Sequence, residues 1–384
     1  MRPIRAAAVA LMPSVAVLAL AVPAWASGGA PPPSDTQVVP CSAAALISAI
    51  DKANTSGGGD LTLTRGCRYT LTSARPGTED GLPPIRSTIA LDGNGATVTR
   101  STTPTTPEFR ILEITSGELT VRSLTISNGH APGPEPDGGG GIEVRESGRL
   151  FATTLTVTGN VGTLGAGINN FGRADVTSSA ITRNEGLHGG GLSNSTRSGN
   201  LSVTSSLVSG NRAESDAGVG GGLHNQTGGF VSVLDTAITG NRGDNSAGGV
   251  FNDHDSLMNL TNTQVSQNQA GPLFSAPTVV LGGGIRNEGT MTLKTTSIEH
   301  NHAAKQGSTL ARGGGIANLL SDQERSAPPK LTLERSRVAG NLADDAAGGI
   351  YNNQGEVDLT NTPVTGNRPS NCAGSPTPVS GCET

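Results

Sequence analysis

The residues best suited to recognition are His224, Phe251 and Arg286, with Asp253 just past one of them and Tyr351 further along the chain. An aromatic ring beside a guanidinium can stack on a sugar face and pair with an acidic group. All but Asp253 occupy one position of a recurring motif, a column that reads Glu143, Asn169, Ser193, His224, Phe251, Arg286, Ala317, Tyr351. The case for catalysis is thinner. Glycoside hydrolysis needs two carboxyl groups converging on the scissile bond, and a lyase needs a placed base with clustered acids. The column holds one carboxylate, Glu143, while Asp253 with Asp255 and Asp344 with Asp345 are acid pairs in loops. His254 and Asp255 read as turn residues. His188, His224, His254, His300 and His302 show no ligand spacing tied to a carboxylate, so no metal site is expected. Neither a Gly-x-Ser-x-Gly elbow nor a phosphate loop occurs, and no catalytic residue or cofactor is assigned.

A repeat must position these side chains. From about residue 138 a glycine pair or triplet is followed by an aliphatic residue, any residue and Asn, then by an alternating apolar pair, then by Ile or Val, two residues and Asn. Gly283-Gly284-Ile285-Arg286-Asn287, Met291-Thr292-Leu293 and Ile298-Glu299-His300-Asn301 show its shortest form. Eight copies end at Asn160, Asn184, Asn211, Asn241, Asn268, Asn301, Asn341 and Asn367. In each, the first residue of the alternating pair (Leu150, Ala174, Leu201, Val231, Met258, Met291, Leu331, Val357) precedes that Asn by ten residues. Residues 109–128 form an imperfect ninth copy. Period-two alternation without helical periodicity gives strands, and three strands in about 22 residues leave no room for helical crossovers. Each unit is therefore one coil of an all-β parallel β-helix, stacked at about 4.8 Å on the next. The eight asparagines are expected to form a structural ladder, each amide bonding its counterparts above and below. A span that never varies argues against disorder, and the missing Gly-Gly-x-Gly-x-Asp signature argues against a calcium roll.

Composition agrees with a solenoid. Against 55 glycines stand six Phe, two Tyr and one Trp, and 34% of residues are apolar, too few for layered globular cores. With 26 basic and 31 acidic residues, no basic stripe marks a nucleic-acid partner. Residues 1–26 begin with Arg2 and Arg5, run through Ala, Val and Leu, and close on Ala24-Trp25-Ala26, which reads as a cleaved export signal. No later stretch is long enough to span a membrane, so no transmembrane anchor is expected after cleavage. Residues 27–37 read as a flexible leader, 38–108 as an N-terminal cap with irregular first coils, 109–368 as regular coils and 369–384 as a disulfide-clamped tail. Within the cap, Ser42 to Asn54 carries Leu46, Ile47 and Ile50 on one face and reads as a helix N-capped by Ser42. Cys41 and Cys67 lie at one end and Cys372 and Cys382 at the other, which suggests two local disulfides clamping the ends of the stack.

The paired motifs resemble the right-handed β-helix repeats of polymorphic outer-membrane proteins, Gly-Gly-[Ala/Ile/Leu/Val] and Phe-x-x-Asn. The first stands as Gly190-Gly191-Leu192, Gly221-Gly222-Leu223, Gly248-Gly249-Val250, Gly283-Gly284-Ile285, Gly314-Gly315-Ile316 and Gly348-Gly349-Ile350, and the second carries Ile or Val in place of Phe. The resemblance covers roughly residues 38–368. It implies a right-handed parallel β-helix with an N-terminal capping helix, and surface adhesion as the activity of such repeats. That family carries a C-terminal transporter barrel, which these residues do not include, so free secretion or wall association is the expectation.

Loop lengths point to a face. From a terminal Asn to the next strand-one aliphatic the gap runs from 8 residues (Asn160 to Ile168) to 17 (Asn268 to Ile285), so variable loops wall a groove with the column as its floor. The longest, residues 269–281, 302–312 and 319–330, come from neighbouring coils. The expected function is a secreted, monomeric recognition protein that binds a polysaccharide or cell-surface glycan through His224, Phe251, Asp253, Arg286 and Tyr351. The alternatives are a polysaccharide lyase or glycoside hydrolase on the same face, and a structural envelope protein.

Overall fold

Ser42 starts the helix Ala43–Thr55, its hydroxyl accepting from Ala45 N at 3.2 Å. Leu46, Ala49, Ile50 and Ala53, spaced as one face of an α-helix, are buried and roof the first coil. Ile47, about 100° off that face, is only half-buried. In the computed structural model, residues 36–131, 138–195, 199–214, 218–272, 279–307, 309–320 and 327–382 are described. The export signal, most of the leader, parts of the long loops and the last two residues lie outside them.

The rest is a right-handed parallel β-solenoid of about 9 turns. Strand one of each coil joins a 9-stranded sheet running from Leu112–Ile114 to Ile350–Asn353. Strands two and three share a 21-stranded sheet, because Thr88–Arg100 and Glu118–Ser127 each run through both positions. The irregular first coils use Gly58–Leu63 and Arg68–Leu71, and Ile85, which follows two prolines, bridges Ile114. The coil also has a fourth strand beyond the three that the repeat displays: two-residue segments from Glu185–Gly186 to Leu342–Ala343 make a 6-stranded sheet. Two of the long loops also carry strands, Val279–Leu281 paired with Leu310–Arg312. Strands this short contain no alternation for a sequence to display.

Inward aliphatics fill the core. Leu150, Ala174, Leu201, Val231, Met258, Met291 and Leu331 are fully buried, whereas Val357 in the last coil, with no coil beyond it, is half-buried. Polar ladders flank this core. From Asn160 through Asn184, Asn211, Asn241, Asn268, Asn301 and Asn341 to Asn367, each Nδ2 donates to the next Oδ1 at 2.9–3.0 Å. The same oxygens accept the backbone N–H of the preceding rung at 2.9–3.0 Å. Asn371, from the tail, receives both donors of Asn367 and closes the series. A second ladder links the strand-one asparagines Asn170, Asn194, Asn225, Asn252, Asn287, Asn318 and Asn352 at 2.8–3.0 Å. A third uses hydroxyls: Ser179, Ser206 and Thr236 accept from the backbone one coil back at 3.0–3.2 Å. The residue before each turns the chain with positive φ (Ser178 49°, Ser205 49°, Asp235 51°).

The glycine pairs answer to the first ladder. A Cβ on Gly284 would lie 2.8 Å from both Asn301 Cγ and Gly315 O, so the close approach of strand one to the asparagine column requires glycine. Disulfides Cys41–Cys67 and Cys372–Cys382 close the two ends. Among the described residues no helix is long and apolar enough to cross a membrane.

Candidate functional site

Strand one places the column in one register, Glu113↔Glu143↔Asn169↔Ser193↔His224↔Phe251↔Arg286↔Ala317↔Tyr351. The expectation of an open floor is corrected, since Glu143 is 0% exposed, Tyr351 3%, His224 5% and Phe251 7%. The cover is the chain entering strand one, whose pairings Leu164↔His188↔Val219↔Ser246↔Leu281↔Arg312↔Ala346 run beside the column. Val219 and Ala247 pack directly on Phe251. Strand direction showed only that these side chains leave the core; the path of the preceding loop decides whether water reaches them.

At the first-coil end the column is a buried ion network that sequence reasoning missed except for Glu143. Arg110 lies 2.9 Å from Asp80, 3.0 Å from Glu143 and 3.9 Å from Glu113, and donates from Nε to Gly139 O. Arg145 reaches Glu143 at 2.8 Å and also pairs with Glu113. Burial pushes the Asp80 carboxyl up to about 6 although Arg110 opposes it. Three acids do converge here, each already paired with an arginine, Asp80 and Glu143 buried and Glu113 at the edge beside the half-buried Arg145. Asp80 and Arg110 sit in irregular coils where no repeat register pairs them.

In the middle of the column the rings form a sandwich. His224 stacks on Phe251 at 4.9 Å and 19°, and the Arg286 guanidinium sits over the same ring at 5.1 Å. Because His224 and Arg286 come from the coils on either side, both faces of Phe251 are taken, which removes it as a stacking platform for a sugar. Arg286 is not free for an acidic ligand either: its Nε donates to Glu288 Oε1 at 2.7 Å, its Nη2 pairs with the same carboxylate, and its Nη1 donates to Ser246 Oγ at 3.1 Å. Tyr351 stands apart from this group, its hydroxyl accepting from Arg312 at 2.9 Å and its ring under the same guanidinium.

A cleft of about 330 Å³ opens beside the sandwich, lined by His188, Val219, His224, Gln226, Thr227, Phe251 and Asp253. Of the five residues expected to bind, His224, Phe251 and Asp253 line it, and Arg286 and Tyr351 do not. Asp253 Oδ1 accepts from both the backbone N and Nδ1 of His254 at 2.7 Å, and Oδ2 accepts from Thr227 Oγ1 at 3.2 Å. Gln226 and Thr227 carry no sequence signal of their own; in register Gln226 stands where Asp253 does one coil later and Thr227 where His254 does. Asp253, His254 and Glu288 bring three potential ligand atoms within 4.8 Å of one another, a grouping the sequence spacing did not show. Arg286 already occupies Glu288, so a cation would have to displace a guanidinium. The other acid pair is spent on loop contacts, Asp344 with His302 at 2.9 Å and Asp345 with Lys305 at 2.7 Å.

Burial above all, with His188 and Arg286 nearby, lowers the His224 pKa to about 3 against a weaker pull from Asp253. The folded imidazole stays neutral while the unfolded one takes a proton below about 6.5. His224 therefore contributes stability at neutral pH that is lost as pH falls from about 6.5 toward 3, on the order of 2 kcal/mol between pH 7 and 5. Asp80, shifted upward, acts in the opposite sense and adds about 1 kcal/mol over the same interval. Urea unfolding at pH 7 and pH 5 is expected to show His224→Phe gaining about 2 kcal/mol relative to the parent on acidification. An equal pH response of the two proteins would remove the buried neutral imidazole from the account.

No family model matches the sequence, and no curated protein matches it. Among solved structures the chain is similar to the crystal structure of PfbA, a surface adhesin of Streptococcus pneumoniae, at 11% identity and a TM-score of 0.38, over 83% of this chain and 88% of that one.

Proposed function

We propose that the protein is a secreted recognition module that holds a glycan or cell-surface ligand in the cleft beside His224, Phe251 and Asp253. The observation that carries this reading is the cleft itself: about 330 Å³, with the side chains of His188, Gln226, Thr227 and Asp253 gathered around apolar Val219 and Phe251. Its size lies within the range of small-ligand sites, roughly 300–1,000 Å³. Stacked coils hold the lining residues in register, which is the rigid support that binding loops need. Two disulfides fit an oxidising compartment outside the cytoplasm, in keeping with residues 1–26 as an export signal. A lyase or hydrolase on this face would need a second free acid near Asp253, and Glu288 is bound by Arg286. A structural spacer would have no use for the convergent polar groups.

Incubating the protein with neutral and acidic polysaccharides, and scoring retained ligand and released chain ends in the same wells, tests the reading. Retention without chain-end release is expected, weakened about tenfold by Thr227→Val, which removes the hydroxyl bonded to Asp253. Released chain ends that vanish with Asp253→Asn would move the assignment to the enzyme alternative. Neither retention nor release across the panel would remove glycans as the ligand.

A further inference from the structure

Resting on that reading, we infer that the cleft takes an uncharged sugar and excludes acidic ones, with Asp253 as the residue that sets this choice. The combination of Arg286 with an aromatic ring suggested the reverse. Every nitrogen of that guanidinium is engaged, Nε and Nη2 by Glu288 and Nη1 by Ser246, and its flat face covers Phe251 on the side away from His224. Arg286 is also absent from the cleft lining, and among the described residues no Lys or Arg lines the cleft. His224 brings no positive charge to replace it, because burial holds its ring neutral.

Among the described residues Asp253 is the one carboxylate in the lining, and its side chain is 21% exposed. His254 and Thr227 fix both of its oxygens in place, so it cannot swing away from an incoming ligand. A uronate, sulfate or phosphate entering here would leave water to face a fixed like charge with no Lys or Arg among the described lining residues to offset it, which is costly at partly buried sites. Sugar hydroxyls both donate and accept, and they match the cleft's inventory of a carboxylate acceptor, an amide that does both in Gln226 and a hydroxyl in Thr227. Val219 and the edge of Phe251 supply apolar contact for ring C–H groups.

The test pairs polysaccharides of one backbone, fully methyl-esterified polygalacturonate and its de-esterified form, which differ in charge and in the ester methyl, with a neutral galactan as a third ligand that carries neither carboxylate nor ester. All three are titrated against the full chain at pH 8, where ordinary imidazoles are uncharged. The parent is expected to bind the ester or the galactan at least about tenfold more tightly than the acid, and Asp253→Asn to reduce that preference to within about threefold. Thermal melts of both proteins establish that the variant is folded. Equal or tighter binding of the acidic form by the parent would overturn the exclusion while leaving glycan recognition standing. A preference that survives Asp253→Asn unchanged would remove Asp253 as its cause. Absence of binding to all three ligands, and to the wider panel above, would overturn both the exclusion and the reading beneath it.

Discussion

Replacing Arg110 with Met should lower stability by about 3–5 kcal/mol at pH 7, the largest effect expected of a single side chain here. Arg110 is fully buried and is the shared partner of Asp80 and Glu143, with Glu113 next to it. Methionine keeps much of the volume and removes the charge, leaving buried carboxylates with only Arg145 to compensate. The sign of the pH response is specific. Orphaned acids take up protons more readily than paired ones, so the deficit should shrink as pH is lowered from 7 to 5. Urea unfolding midpoints at both pH values decide the matter. A loss under about 1 kcal/mol at pH 7, or a deficit that grows on acidification, would show that the network does not hold the first coils together.

Asn268→Leu should cost about 3 kcal/mol, because this rung serves both neighbours. Its Nδ2 donates to Ile238 O at 2.9 Å and Asn301 Oδ1 at 3.0 Å, and its Oδ1 accepts the backbone N of Asn241 at 2.9 Å and Asn241 Nδ2 at 3.0 Å. Leucine satisfies none of these, and the backbone N–H of Asn241 loses its acceptor inside the stack, where water cannot replace it. Asn371→Ala provides the comparison. That rung is only partly buried and serves Asn367 alone, so its loss should cost about 1 kcal/mol. Equal effects at the two positions would mean that the ladder does not act as a continuous buried column.

Much of this architecture is legible in one dimension. The invariant span from Leu150 to Asn160, repeated through Val357 and Asn367, places strands two and three of every coil, because alternation of period two and a fixed repeat are local properties of a chain. The glycine pair before Ile285 is legible for a similar reason: only glycine allows strand one to pass Asn301 so closely. The helix Ala43–Thr55 shows its cap and its apolar face. Even Glu288 was within reach, two residues beyond Arg286 and on the same side of the strand.

Other features depend on contacts between segments. Asp80 and Arg110 belong to irregular coils, and their meeting follows from a chain path that no spacing encodes. The fourth strand, such as Arg212–Ala213, is too short to alternate. Phe251 is recognisable as a residue pointing away from the core, but its burial comes from Val219 and Ala247, carried there by turns of variable length. The cleft likewise exists because His188, Gln226 and Asp253 arrive from different coils and stop short of closing over one another. Periodicity sets which way each side chain points; what it meets there depends on the non-repeating turns, whose course is set by packing against neighbouring coils and not by any pattern within the turn itself.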